Sequence, residues 1–188
     1  RRALFHRLRS MIALKCDRIP EALQAAREAV KFEPNGAYAL KDLALALIAA
    51  NEYQEALTVI DRAIEREPRA TNFYPIKSRI LLQVGSAEDA ISSFEQALAI
   101  DFDPAILAQL CRLLYRERNF EASIDNVGRL LEVEPKKAAN WLLLARSYYH
   151  LGRLPEAQQA AEKAAALAPK LADPLLLLAD IHEQRRQP

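Results

Sequence analysis

The chain has little glycine and little cysteine. Four glycines and two cysteines stand in 188 residues, with one tryptophan and one methionine. So little glycine excludes a collagen-like or loop-dominated chain. Two cysteines exclude a small domain built on a disulfide framework. The longest apolar runs, such as Leu43 to Ala50, fall far short of the roughly 20 residues needed to cross a bilayer. No secretory leader is visible. Excess charge of one sign is also missing: the formal net charge is +1. A strong global pull toward nucleic acid or anionic lipid is therefore not expected, and any electrostatic function must come from local arrangement. The chain begins Arg1-Arg2 and reads as a fragment of a longer protein.

What is present is a helical, globular composition, 51% hydrophobic and 27% charged. A fixed period runs through it. Pro34 and Pro68 are 34 residues apart, and so are Pro135 and Pro169. Five positions before each proline stand Ala29, Ala63, Leu130 and Ala164, and twelve before stand Ala22, Ala56, Ser123 and Ala157. The missing register carries Ala90, Phe94 and Ala97 at the same spacing, with Phe102 in place of the proline. A second pattern precedes each of these. Trp141, Leu144, Ala145 and Tyr148 follow W-x2-L-small-x2-Y; Leu40, Leu43, Ala44 and Leu47 repeat it loosely. Leu107, Leu110, Cys111 and Leu114 match again, Tyr74, Ser78 and Leu81 in part, and Leu175, Leu178 and Ala179 begin one more unit. Self-similarity at such a period marks a stack of supersecondary units.

Within a unit, apolar residues recur at three- and four-residue steps, as in Tyr53, Ala56, Leu57, Ile60, Ala63 and Ile64. That is one stripe of an amphipathic helix. Pro20 and Pro155 suit a first helical turn. Pro34, Pro68, Pro135 and Pro169 stop the helix before them. Gly85 and Gly152 suit a turn needing positive φ. Pro75 should start its helix late. Asp173-Pro174 reads as a cap and a first-turn proline. Cys16 and Cys111 both fall on expected helices, too far apart in a stack to pair, and read as reduced, buried thiols.

These motifs resemble the tetratricopeptide repeat family across nearly the whole chain. The resemblance implies an all-α, right-handed α-solenoid: one array over 1–188, with repeats at about 3–36, 37–70, 71–103, 104–137 and 138–171. A single terminal helix follows at about 172–187, either a solubilising cap or the first half of another repeat. The first repeat departs from the pattern, with His6, Arg9 and Ser10 where the family prefers a large aromatic, leucine and a small residue. The resemblance also implies that ligands lie on the concave face lined by the first helix of each repeat. The residues expected there are Tyr38, Lys41, Asn72, Arg79, Arg112, Tyr115, Arg116, Leu142, Arg146 and Tyr149. Arg79, Arg112 and Arg146 share one register, with Tyr115 and Tyr149 beside the last two. Leu142 and Leu176 give the C-terminal end an apolar patch.

An arginine ladder interleaved with tyrosine suits an extended acidic segment, since guanidinium binds two carboxylate oxygens at once and tyrosine adds stacking area. Pairing of the arginines with nearby carboxylates is the alternative. The expected function is a non-catalytic protein-interaction scaffold. The competing reading is a substrate-presenting arm of a larger glycosyltransferase or polysaccharide secretion protein, whose ligand would be an anionic or aminosugar polymer. Some family members clamp chaperone tails through a lysine with asparagine four residues on; Arg7 with Met11 and Lys41 with Leu45 depart from that. No phosphate loop, nucleophile elbow or paired metal-spaced histidines occur, so neither enzyme activity, metal nor cofactor is expected. Asp101 and Asp103 read as a cap and loop, and His150 as a bystander. Nucleic acid is not an expected partner. Oligomeric state is not legible. Reduced cysteines point to the cytoplasm, with the periplasm as the alternative.

Overall fold

The computed structural model describes residues 1–186, all helical or turn, with no strand among them. Two units form, Arg1–Asp101 and Phe102–Pro188. The first contains α1 (Arg2–Lys15), α2 (Ile19–Phe32), α3 (Ala37–Ala49), α4 (Tyr53–Arg66), α5 (Tyr74–Gln83) and α6 (Ala87–Ile100). The second contains α7 (Pro104–Arg116), α8 (Phe120–Val133), α9 (Ala138–His150), α10 (Leu154–Leu167) and α11 (Ala172–Arg186). Gln187, the last residue of the expected terminal helix, lies outside the described residues.

The periodic small residues explain the pairing. Ala22, Ala56, Ala90, Ser123 and Ala157 are buried, as are Ala29, Ala63, Ala97, Leu130 and Ala164. Small side chains at these points let the two helices of a pair approach closely. Each odd-numbered helix of α1–α10 packs on the even-numbered helix after it. Helices of about 14 residues are marginal alone, so this shared burial supplies most of their stability. Where the small residue is serine, its hydroxyl is satisfied across the pair. Ser10 donates to the Ala22 carbonyl at 2.9 Å and Ser78 to the Ala90 carbonyl at 3.0 Å.

The punctuation falls where the prolines place it. The helices before Pro34, Pro68, Pro135 and Pro169 end two residues earlier. Two of these prolines also receive a lock from the following helix. The Tyr74 hydroxyl donates to the Pro68 carbonyl at 2.7 Å, and the Trp141 indole N–H donates to the Pro135 carbonyl at 2.8 Å. Pro75 delays its helix as expected. A short 3-10 turn, Thr71–Phe73, fills the gap, and α5 keeps only 10 residues. Asp103 caps α7, its carboxylate accepting from the Ala105 amide at 2.7 Å. The start of α11 differs from expectation. The helix begins at Ala172, so Asp173 lies inside its first turn instead of capping it.

One turn residue in each pair is left-handed. Gly85 and Gly152 have φ of 86° and 71°, and Asp17, Asn51 and Arg118 hold 56°, 62° and 61° at the corresponding positions. The cysteines separate: Cys111 is buried in α7, whereas Cys16 is exposed just beyond α1. The expectation of a buried Cys16 on a helix is corrected, because α1 stops at Lys15 and the chain turns there. No helix among the described residues is long and apolar enough to cross a membrane.

Candidate functional site

In the first unit, α1, α3 and α5 carry the relevant cations. Tyr38 sits in the first turn of α3, half exposed, with the Phe73 ring edge-on at 5.4 Å. The Arg7 guanidinium and the Lys41 ammonium each lie 5.5 Å from its centroid, within cation–π range. Both cations also turn on one carboxylate. Asp42 is only 2% exposed; Arg7 Nε donates to its Oδ2 at 2.7 Å, and Lys41 Nζ lies 3.2 Å from Oδ1 without hydrogen-bond geometry. Lys41 is therefore engaged in holding a buried charge. A carboxylate this buried needs such partners. Asn72 is exposed in the 3-10 turn. Arg79 is exposed on α5, and no ion pair involves it among the described residues.

In the second unit, α7 and α9 lie side by side. Arg112, Tyr115 and Arg116 occupy neighbouring positions on α7, one helical turn apart. Arg112 is exposed, with no ion pair among the described residues. Arg116 pairs with the adjacent Glu117 at 3.1 Å. On α9, Arg146 pairs with Asp173 of α11 at 2.9 Å. The Tyr115 hydroxyl and His150 Nε2 are 3.0 Å apart. Phe120 stacks on the His150 ring at 4.7 Å and meets Tyr115 at 5.6 Å; Tyr149 stands 6.0 Å from His150. Burial first, and then the positive charges of Arg118 and Arg146, hold the His150 imidazole below its ordinary range. It is neutral at pH 7, as a hydrogen-bonding partner for Tyr115 rather than a further cation.

Two expectations need correction here. Leu142 is 7% exposed and belongs to the core of its unit, because its position on α9 turns inward. The C-terminal patch is also not simply apolar. Leu176 is exposed, but Tyr149 opens on a pocket of about 260 Å³ lined by Asp180, Glu183 and Gln184. The second unit thus runs from basic on α7 to acidic on α11. As for the arginine register, Arg79 lies in the first unit and Arg112 and Arg146 in the second.

Sequence reasoning missed Asp42, Arg7, Phe120 and the part played by His150. For Asp42 a signal existed, since it is the one carboxylate inside the apolar stretch from Ala37 to Ala50. Nothing local marks Phe120 and His150 as neighbours, because they come from different helix pairs. The described residues hold no cluster of potential metal ligands. Cys111 is not a nucleophile at neutral pH: burial pushes its thiol up to about 12.

Paired helices with small-residue seams, stacked on successive pairs, define a helical-repeat interaction protein. The chain belongs to the tetratricopeptide repeat family, whose model matches residues 9–75, 41–105 and 109–172. No curated protein matches it in sequence. Among solved structures, it is similar to MamA protein, with TM-score 0.77 and 14% identity over 89% of this chain and 92% of that one. YrrB, described as a TPR protein with an unusual peptide-binding site, gives TM-score 0.72 and 15% identity over 94% and 88%. PilF of Pseudomonas aeruginosa gives 0.76 and 18% over 97% and 85%. At these identities the likeness concerns the fold.

Proposed function

We propose that the α7–α9 face of the second unit binds an extended, acidic segment of a protein partner. The observation that carries this reading is Arg112, an exposed guanidinium with no carboxylate partner among the described residues, one turn from the Tyr115–His150–Phe120 cluster. A guanidinium free of internal partners offers its full fork to a carboxylate. The Tyr115 and His150 rings beside it, backed by buried Phe120, give the bound chain a stacking surface at small entropic cost. Arg146 is a secondary contact, because Asp173 competes for it. Asp180 and Glu183 repel further acid at the α11 end, so the partner's acidic stretch is short and lies over α7 and α9. Protein or peptide binding agrees with the family and with YrrB's peptide-binding site.

A charge-assisted hydrogen bond contributes about 1.5–3 kcal/mol, or roughly 10- to 150-fold in affinity. The test titrates the full chain with labelled extended peptides rich in Glu and Asp, against the same peptides carrying Gln and Asn. Acidic peptides are expected to bind at least tenfold tighter, with affinity falling as salt rises. Polygalacturonate serves as an anionic polymer competitor. Equal binding of acidic and amide peptides, or binding of the polymer alone, overturns the reading.

A further inference from the structure

On the α7–α9 face, His150 is the group whose charge can change near neutral pH, since the arginines and tyrosines beside it titrate far higher. It is exposed at the end of α9, with one ring face covered by buried Phe120, 4.7 Å away and inclined by 12°. Its Nε2 lies 3.0 Å from the Tyr115 hydroxyl. In the neutral ring that contact can run either way. In the imidazolium it runs one way, because Nε2–H can only donate to the tyrosine oxygen. The Tyr115 O–H then points away from the imidazole and serves as a donor one helical turn from Arg112. Protonation therefore adds both a charge and a hydrogen-bond donor to this face.

The free protein opposes that charge. α9 packs against α7, α8, α10 and α11. After burial, the charges that act on the imidazole are those of Arg118, in the turn before α8, and Arg146, one turn back on α9. Arg112 and Arg116 add positive charge from α7. Three carboxylates around α9 are already paired: Glu117 with Arg116, Glu156 with Arg153 and Asp173 with Arg146. Glu121 is exposed in the first turn of α8, and Asp180 and Glu183 border the pocket beside Tyr149. An acidic segment on Arg112 would bring the counter-charge that the imidazolium lacks. Phe120 tolerates the charged ring, since a cation is favourable over an aromatic face. By linkage, a segment that favours the protonated ring is itself held more tightly by it. We infer that binding at the α7–α9 face is proton-linked: protonation of His150 strengthens its hold on an acidic segment, and mild acidification tightens the complex. This inference rests on acidic-segment binding at that face. The free imidazole is held below its ordinary range. Tightening therefore begins as pH falls below neutrality and levels off once the free protein is protonated too.

The test titrates the full chain with a labelled Asp-rich peptide at about pH 7.5 and about pH 5.5, both well above the aspartate range, at constant ionic strength. Binding should be about threefold tighter at the lower pH, the scale of one partly exposed ion pair. In His150→Gln the ratio of the two affinities should fall to about one, whatever its affinity at the higher pH. In magnetic resonance, the His150 ring should titrate at higher pH with the peptide bound than without it, a shift that a purely structural histidine would not show. Equal affinities at the two pH values overturn the inference. So does a ratio that persists in His150→Gln, or a His150 titration that the peptide does not raise. If acidic and amide peptides bind alike at the higher pH, acidic-segment binding itself fails, and the inference falls with it.

Discussion

The two units use the cations of their first helices differently. In the first, Arg7 and Lys41 turn inward on Asp42 and share the Tyr38 ring. In the second, Arg112 stays in solvent, and the ordered neighbour of α7 is neutral: His150, bonded to Tyr115 and stacked on Phe120. Cations on the first helices of the two units, at different repeat positions, thus serve two purposes. A buried carboxylate makes cations structural, whereas its absence leaves them for a partner. Position in the repeat alone does not identify a ligand contact; the internal partner does.

The largest effect should come from removing the free charge. Arg112→Glu combined with Arg146→Glu should weaken acidic-peptide binding by about a hundredfold, from two charge-assisted contacts of roughly 1.5 kcal/mol each. Helicity should be unchanged in circular dichroism. Arg146→Glu alone should do less, since Asp173 already competes for that arginine. In the first unit the corresponding loss should appear as stability. Asp42→Ala should cost about 2 kcal/mol in urea unfolding, the scale of a hydrogen bond to a charged group, and leave peptide affinity unaltered.

Arg118 holds a φ of 61° that glycine holds in the matching turns. Arg118→Gly should stabilise by up to about 1 kcal/mol, since side chains are strained in that conformation. It also removes one of the charges that lowers the His150 pKa. The smallest effect is that of His150 itself. Its folded-state pKa lies below the ordinary 6.5, so the unfolded chain takes up a proton there first. Stability from this site is present above 6.5 and declines as pH falls toward the lower folded value. His150→Gln should flatten the fall in Tm between pH 7 and pH 5.

The fold was largely legible because its signals are local and periodic. Proline spacing marks where second helices end, alanine spacing marks the seams, and Gly85 and Gly152 mark the turns. The site was less legible, because pairing is decided across helices. Lys41 and Arg112 are both cations on first helices, and the proximity of Asp42 is what ties Lys41 to the interior. Leu142 is expected on the groove surface with Leu176, but a one-position rotation on a helix separates surface from core. His150 looked incidental because Phe120 and Tyr115, which give it a role, come from the preceding helix pair.

The most direct measurement compares two single substitutions in one titration against the same acidic peptide. Arg112→Gln should lower affinity at least tenfold, and Lys41→Gln should leave it within about twofold of the unsubstituted chain, the scale of one charge-assisted contact against none. Equal losses from the two, or a larger loss from Lys41→Gln, would contradict the assignment of the second unit's free arginine as the binding charge.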